Sequence, residues 1–379
     1  MTTTALGIPL LDTYARADVT FVSGNGSWLV DDEGRRYLDL VAGIAVVGLG
    51  HRHPVPLAAA HAQLDRLWHV SNLYWTEPMT LLAEELSERF GGAQAFFCNS
   101  GAEAAEAAIK YARKSTGKQG IVALENSFHG RTMGALAATG QPAKRKAFEP
   151  LIGGVTFARL NDTASLAAAV DDDTACILLE PIQGEGGIHP AAVHFLEKAR
   201  ELADAHGALL VFDEVQTGMG RTGTFFAWQR LGVKPDAVTL AKGLANGLPI
   251  GALLVASEIA GGFEPGDHGS TFGGNPVACA AACAVVATIT DELLSAVVDK
   301  GQNLSTRLER LPSVVEVRGA GLLLGVEVDH VARDVIAHCL DRGVVVGSAG
   351  ERVLRLTPSL TITDEELEHA LAVLQEALE

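Results

Sequence analysis

Ala237-Val238-Thr239-Leu240-Ala241-Lys242-Gly243-Leu244-Ala245-Asn246-Gly247-Leu248-Pro249-Ile250-Gly251 is the stretch from which the fold is read. The run up to Ala241 has the length and uncharged character of a buried strand, and Lys242 ends it where a glycine-rich stretch begins. No charged residue lies between Asp236 and Lys242, and none follows until Glu258. A lysine at the end of a buried strand loses hydration, which disfavours its ammonium form and lowers its pKa. An amine that is neutral near physiological pH attacks carbonyls and forms Schiff bases. The competing reading is a strand-end lysine whose amine simply reaches water.

Outward from this strand the pattern repeats. Apolar segments at 94–98, 120–124, 155–158, 175–179, 208–212, 236–241 and 252–255 read as strands, several of them apolar on both faces. Helical spacing of apolar residues predicts helices at 55–68, 78–90, 102–116, 191–206 and 276–289. Strands covered by helices on both sides imply a mostly parallel sheet in an α/β domain, here over residues 51–289. Residues 1–50 read as short strands joined by turns such as Gly24-Asn25-Gly26. Residues 290–379 read as a long helix, strands at 314–317, 322–328, 344–346 and 353–356, and helices at 332–341 and 364–378. The two terminal segments together predict a smaller α+β domain.

The chain has 379 residues, is 48% hydrophobic and carries a net charge of −17. That length supports two or three domains, and the acidic balance argues against nucleic acid or an anionic membrane surface as partner. The cysteines at 98, 176, 279, 283 and 339 form no CxxC pair, and Cys279 and Cys283 read as small apolar packing residues on one helix. A reduced, cytoplasmic setting is expected. Met1 to Leu11 has neither a basic n-region nor a long apolar stretch, so no signal peptide is expected, and no run is long enough for a membrane span.

Several loops beyond strand ends carry chemistry. Asn99-Ser100-Gly101-Ala102 precedes a helix with Glu103 and Glu106 early and Lys110, Arg113 and Lys114 late, matching its dipole. Its start offers N–H groups, a hydroxyl and an unobstructed glycine to a phosphate, or Ser100 is only an N-cap. In Phe128-His129-Gly130-Arg131, Phe128 can stack on a planar ring and Arg131 can clamp a carboxylate; taken in isolation, a core aromatic and a surface arginine explain them better. Asp213 and Glu214 end another apolar run, where a carboxylate can hold a proton on a heteroaromatic nitrogen or bind a metal. The sequence around it lacks further ligands at metal spacing, and His51-Arg52-His53 fits a polar helix start better than a metal site, so no metal is expected. Glu180-Pro181-Ile182-Gln183-Gly184-Glu185-Gly186-Gly187 is a further ligand-facing loop or an ordinary solvated turn. Ligands bind beyond the strand C-termini of open parallel sheets. An anion cradle, an aromatic platform, an aspartate and a strand-end lysine at that edge are what pyridoxal phosphate requires.

These residues resemble the class III pyridoxal-phosphate aminotransferases, within them the acetylornithine branch. The resemblance runs over nearly the whole chain and includes Gly48-Leu49-Gly50-His51-Arg52-His53-Pro54, Ser71-Asn72-Leu73-Tyr74 and the Asn99, Phe128, Asp213 and Lys242 motifs. His268-Gly269-Ser270-Thr271-Phe272-Gly273-Gly274-Asn275-Pro276 also belongs to it. The resemblance implies fold type I, with a seven-stranded sheet in the large domain. It implies Lys242 as the Schiff-base lysine, Asp213 as partner of the pyridine nitrogen, Gln216 near the phenolic oxygen and Phe128 on the ring. Ser100, Gly101 and Ala102 match the phosphate cup. Thr271 and Ser270 match positions contributed by the neighbouring subunit, to phosphate and substrate respectively, which implies a homodimer with shared sites. Arg131 matches the arginine that takes the α-carboxylate of acetylornithine, Glu185 and Arg355 match a gating ion pair, and Tyr14 is placed near the substrate carboxylate. The expected substrates are N2-acetylornithine and 2-oxoglutarate. Alternatives within the class use succinylornithine, ornithine, N-succinyl-diaminopimelate or 4-aminobutyrate. A fold type I decarboxylase or aminomutase, or a ligand-binding regulator that kept the fold, are the readings outside it.

Overall fold

Strands without charge on either face are stable only when helices cover both sides of their sheet, and the computed structural model, which describes residues 9–379, has that arrangement. Residues 1–8, most of the stretch inspected for a leader, lie outside the described residues. The large sheet has seven strands in the order Ala93–Cys98, Gly251–Ala256, Ala237–Leu240, Leu209–Asp213, Thr174–Leu179, Gly120–Leu124, Val155–Ala158. Gly251–Ala256 runs antiparallel to both neighbours, and the remaining pairs are parallel. The mostly parallel sheet expected from the sequence is therefore present. All the parallel strands end at one edge. The single antiparallel strand starts there, with Gly251 opposite Cys98, so the return loop 243–250 is delivered to that edge as well.

Helix Gly101–Thr116 shows how the sequence builds the cover. Ser100 caps it by accepting from the Glu103 N–H at 3.2 Å, Glu103 lies in the first turn, and Arg113 and Lys114 lie in the last. Gly117 then ends the helix at φ 72°, a left-handed position that glycine adopts without a Cβ penalty. Its alanines, Ala104, Ala105, Ala107, Ala108 and Ala112, are buried, which lets the helix lie close on the sheet.

Phe21–Asn25, Trp28–Asp31 and Arg36–Asp39 form an antiparallel ribbon, to which Val344–Val345 adds in parallel beside Arg36–Asp39. Val314–Ala320, Leu323–Val328, Val353–Leu356 and Gly347–Ser348 form another sheet, accompanied by helices Asp291–Leu308, Ala332–Asp341 and Asp364–Leu378. Leu38 and Leu40 share one core with residues from Val297 to Leu378, whereas the core of the large sheet gathers residues from Leu49 to Ile289. The last helix starts in a capping box between Thr363 and Glu366. Glu366 also accepts from Ser27 Oγ at 2.9 Å and Trp28 Nε1 at 2.8 Å, tying the first strands to the last helix.

Two local differences stand out. The helix expected over 55–68 is Pro54–Leu64. Leu67 and Trp68 are exposed, so the apolar spacing beyond Leu64 marks surface instead of helix core. Short helices at Met133–Ala138, Thr163–Ala169 and Ala227–Leu231 carry too few turns to give a periodic signal.

Candidate active site

Beyond the common strand edge lies a cavity of about 490 Å³ whose lining includes Ser100, Phe128, Arg131, Asp213, Gln216 and Lys242. The order of strands explains the gathering: each residue is at or just beyond the end of a parallel strand or on the loop that follows it.

One wall is the start of helix Gly101–Thr116. Glu103 folds the preceding loop by accepting from Asn99 N at 3.0 Å, Asn99 Nδ2 at 2.9 Å and Ser100 Oγ at 2.9 Å. The first intrahelical bond runs from Ala104 N to Ser100 O, so the Gly101 and Ala102 N–H groups precede it, and both residues line the cavity. Orphan donors at the positive end of a helix are suited to an anion. A Cβ on Gly101 would come within 2.8 and 2.9 Å of the Val215 methyls, so this wall approaches closely only as glycine. Ser100 is thus an N-cap and a cavity residue at once.

Asp213 is buried. Its Oδ1 accepts from Thr239 Oγ1 at 3.0 Å and Val215 N at 3.1 Å, and its Oδ2 faces His129 Nδ1 at 2.7 Å. Burial pulls the His129 pKa down, but the bond and charge of Asp213, joined by the charge of Glu180, raise it overall. Glu180 is also buried, accepting from Phe128 N and Gly184 N at 3.0 Å each, and burial raises its pKa to about 7. Glu214, next to Asp213, faces away from this work: it caps helix Ala227–Leu231 through Ala227 N at 2.6 Å and Trp228 N at 2.9 Å.

Lys242 opens to the cavity from a backbone held at φ 38°, in the left-handed region that costs a side chain about 1–2 kcal/mol. Burial, followed by the nearby Arg355 charge, lowers its pKa to about 8, against the pull of Glu185, Asp213 and Glu180. A minor share of the amine is therefore neutral near physiological pH, far more than for an ordinary lysine, and that form attacks carbonyls. Gln216 Oε1 is buried with no partner among the described residues, a polar atom short of a bond that a ligand can supply. Phe128 has the Arg131 guanidinium 5.7 Å and the Lys144 amine 4.9 Å from its ring centroid. Val46 reaches the cavity from a left-handed turn over Ala42–Ala45, held by Asp39, which accepts from Val41 N at 2.8 Å and Ala42 N at 2.9 Å. The other Asp39 oxygen faces His51 Nε2 at 2.8 Å, while the His53 ring caps helix Pro54–Leu64.

Glu185 and Arg355 form an ion pair at the cavity, with Arg355 buried in strand Val353–Leu356. Burial raises the pKa of the Glu185 carboxyl, but Arg355 outweighs it and holds the carboxyl below its ordinary value.

Ser270 and Thr271 do not line this chain's cavity. Ser270 Oγ instead accepts from Gly273 N at 3.0 Å and Asn99 Nδ2 at 3.1 Å, and Thr271 is exposed. Tyr14 is exposed, with the Arg16 guanidinium over its ring at 5.5 Å, and lies outside the cavity lining. Glu180 opens the loop that the sequence marks as ligand-facing, whereas no role for His129 or Lys144 is legible there. The signal for His129 was its place between Phe128 and Gly130; nothing in the sequence pointed to its bond with Asp213.

An aldehyde-reactive amine, a carboxylate, a ring platform and a helix start aimed into one cavity fit pyridoxal phosphate, and the Gln216 amide and Gly101 cradle have room and bonds left for it. The comparisons agree. The family Aminotransferase class-III matches residues 13–378. Acetylornithine aminotransferases of Corynebacterium efficiens and Methanopyrus kandleri are each 50% identical, over 97% of this chain and 94% and 96% of theirs. The ornithine aminotransferase of Toxoplasma gondii superposes with a TM-score of 0.93 at 32% identity, over 98% of this chain and 92% of that one. The N-acetylornithine aminotransferase of Stenotrophomonas maltophilia gives 0.84 at 39% identity, over 96% of both chains. The chain belongs to the class III aminotransferases.

Proposed function

We propose that this enzyme moves the terminal amino group of N2-acetyl-L-ornithine to 2-oxoglutarate, giving N-acetyl-L-glutamate 5-semialdehyde and L-glutamate, a step of arginine biosynthesis. The names of the relatives support the substrate. The observation that carries the reading is the Glu185–Arg355 ion pair, whose Glu185 lines the Lys242 cavity together with Arg131. One site must accept a distal amine in one half-reaction and an α-keto acid in the other, and a maskable second arginine meets that demand.

Pyridoxal phosphate, when bound, supplies an aldehyde that condenses with amines and a pyridinium that takes up the electron pair of a deprotonated carbon. Ser100 and the N–H groups of Gly101 and Ala102 would hold its phosphate, joined by Thr271 of the partner subunit. Phe128 would pack on the ring, Gln216 would bond at the phenolic oxygen, and Asp213 would keep the proton on the ring nitrogen. His129, held at 2.7 Å, fixes the Asp213 carboxylate in place. Lys242 Nζ would take the proton from the amine-bearing substrate carbon and hand it on toward the cofactor, and a pKa near 8 suits it to both directions. Arg131 binds the α-carboxylate of acetylornithine while Glu185 neutralises Arg355. When Glu185 swings away, Arg355 takes the α-carboxylate of glutamate or 2-oxoglutarate, so the two half-reactions alternate in ping-pong order.

A homodimer with Ser270 and Thr271 serving the partner's site is part of the proposal. Segments 68–75 and 270–275 are bound to each other, Asn72 Nδ2 donating to Gly273 O at 2.9 Å and Asn275 Nδ2 to Trp68 O at 2.9 Å. They present Trp68, Leu73, Trp75 and Phe272 to the outside at 60–85% exposure, an apolar surface of the kind that partners cover. The free cysteines support a reducing, cytoplasmic setting.

The test is a donor panel with 2-oxoglutarate, following glutamate formation from acetylornithine, succinylornithine, ornithine, N-succinyl-diaminopimelate and 4-aminobutyrate. Acetylornithine is expected among the best donors. A clear preference for another donor rejects the substrate and leaves the class intact.

A further inference from the structure

The segment carrying Glu185 is a small hairpin in which Ile182 pairs with Pro190 and Gln183 with His189. Its base is fixed to the large-sheet side. Glu180 accepts from Gly184 N at 3.0 Å, and Gln183 Nε2 donates to Glu125 O at 2.8 Å. Its tip lies instead on the sheet of the smaller unit. There Arg318, Gly325 and Arg355 stand directly opposite one another on adjacent strands. Residues opposite one another in antiparallel register share a face, so two arginines flank a glycine.

Each member of that row grips a different part of the tip. A Cβ on Gly325 would come 2.6 Å from Ile188 Cβ, so its absence makes the slot in which Ile188 docks, buried beside Leu323 and Val353 at φ 56°. Arg355 takes the Glu185 carboxylate. Arg318 Nε donates to Gly187 O at 2.8 Å. The Arg318 guanidinium is itself aimed by Glu316 and Glu327, which accept from Nη1 at 2.7 and 2.6 Å, and its side chain is only 7% exposed. Gly184, Gly186 and Gly187 have no side chains to hold the tip; among the described residues Gly186 packs against the Asn126 backbone, Ile188 docks on Gly325, and the polar anchors on the smaller unit are the Glu185 carboxylate and the Gly187 carbonyl.

We propose that Arg318 is a positioning residue that, through the Gly187 carbonyl, holds Glu185 over Arg355 and so sets the preference for a distal-amine donor over an α-amino acid. Arg318 stands two strand spacings from Arg355, roughly 10 Å, and acts only through the hairpin. The inference rests on the gating reading above. Without the Arg318 bond the tip is released on one side, Glu185 spends less time on Arg355, and the unmasked Arg355 favours glutamate.

The experiment measures each half-reaction of the holoenzyme separately, as kcat/KM for acetylornithine and for glutamate, in wild type, Arg318→Met, Glu185→Ala and the double variant. Methionine keeps an apolar stem in place of the arginine chain. One lost hydrogen bond to a charged group, felt in full at the gate, predicts a fall in the acetylornithine-to-glutamate ratio of roughly tenfold to a hundredfold. The double variant is expected to fall no further than Glu185→Ala, because both changes act on one contact. Arg318→Lys keeps the charge between Glu316 and Glu327 but lacks the planar fork; an intermediate ratio is expected, and it replaces the methionine variant should that fail to fold. A ratio unchanged by Arg318→Met but shifted by Glu185→Ala overturns the role of Arg318 and leaves the gate. Equal losses in both half-reactions, or losses that add to those of Glu185→Ala, mean structural support only and overturn it too. A ratio unchanged in Glu185→Ala overturns the gate and this inference together.

Discussion

Exchanging Asp213 for asparagine removes a charge while keeping the shape that holds the loop. The amide oxygen still accepts from Thr239 Oγ1 and Val215 N, now at 3.0 and 3.1 Å. What disappears is the carboxylate that faces both His129 and the cavity. An opposite charge at contact distance raises the pKa of a base by about 1–3 units, each worth about 1.4 kcal/mol. Asp213→Asn therefore withdraws about 1.4–4 kcal/mol from the protonated ring nitrogen, or roughly tenfold to a thousandfold in the rate of proton abstraction. His129 loses the partner that raises its pKa, so burial returns it to the neutral ring. The assay is a stopped-flow measurement of the acetylornithine half-reaction at saturating cofactor. A second series uses a cofactor methylated at the ring nitrogen, whose positive charge is permanent. The variant is expected to be slow with the natural cofactor and to recover part of the loss with the methylated one. A variant that binds cofactor and reacts within twofold of wild type refutes the reasoning.

Two further outcomes are expected. In the cofactor-free protein the Lys242 pKa is about 8 against an ordinary 10.5, so between these values the unfolded chain holds more protons and stability rises with pH. Below about 8 the cost of the buried ammonium is complete, so cofactor-free Lys242→Met should melt higher than wild type at pH 7, with the gain vanishing near 10.5; an equal gain at both pH values contradicts the shift. Mixing Lys242→Ala with Thr271→Ala under conditions that exchange subunits should give activity above the mean of the two parents, since a hybrid dimer has one site free of both lesions. Activity at or below that mean means Thr271 serves its own chain.

The site residues that stood out in the sequence are those that follow charge-free runs. Lys242, Asp213 and Ser100 each terminate or follow a strand whose own residues carry no charge, so their chemistry showed against a silent background. Strand direction did not show: Gly251–Ala256 is buried on both faces, and a run with no polar side reads the same parallel or antiparallel. The left-handed backbone at Lys242 and along Ala42–Ala45 was equally hidden, since alanine and lysine give no sign of positive φ. Contacts distant in sequence were the least accessible. Asp213 lies 84 residues from His129 and Arg318 lies 131 from Gly187, and only the folded sheets bring them together. Leu67 and Trp68 imitated a continuing helix because they keep the apolar spacing of a helix face while standing exposed.

The most direct measurement reduces the cofactor-saturated enzyme with borohydride, digests it and locates the pyridoxyl group by mass spectrometry. The modification is expected on Lys242 alone, lost in Lys242→Ala together with turnover. Label on a different lysine, or none on a fully active enzyme, contradicts the account.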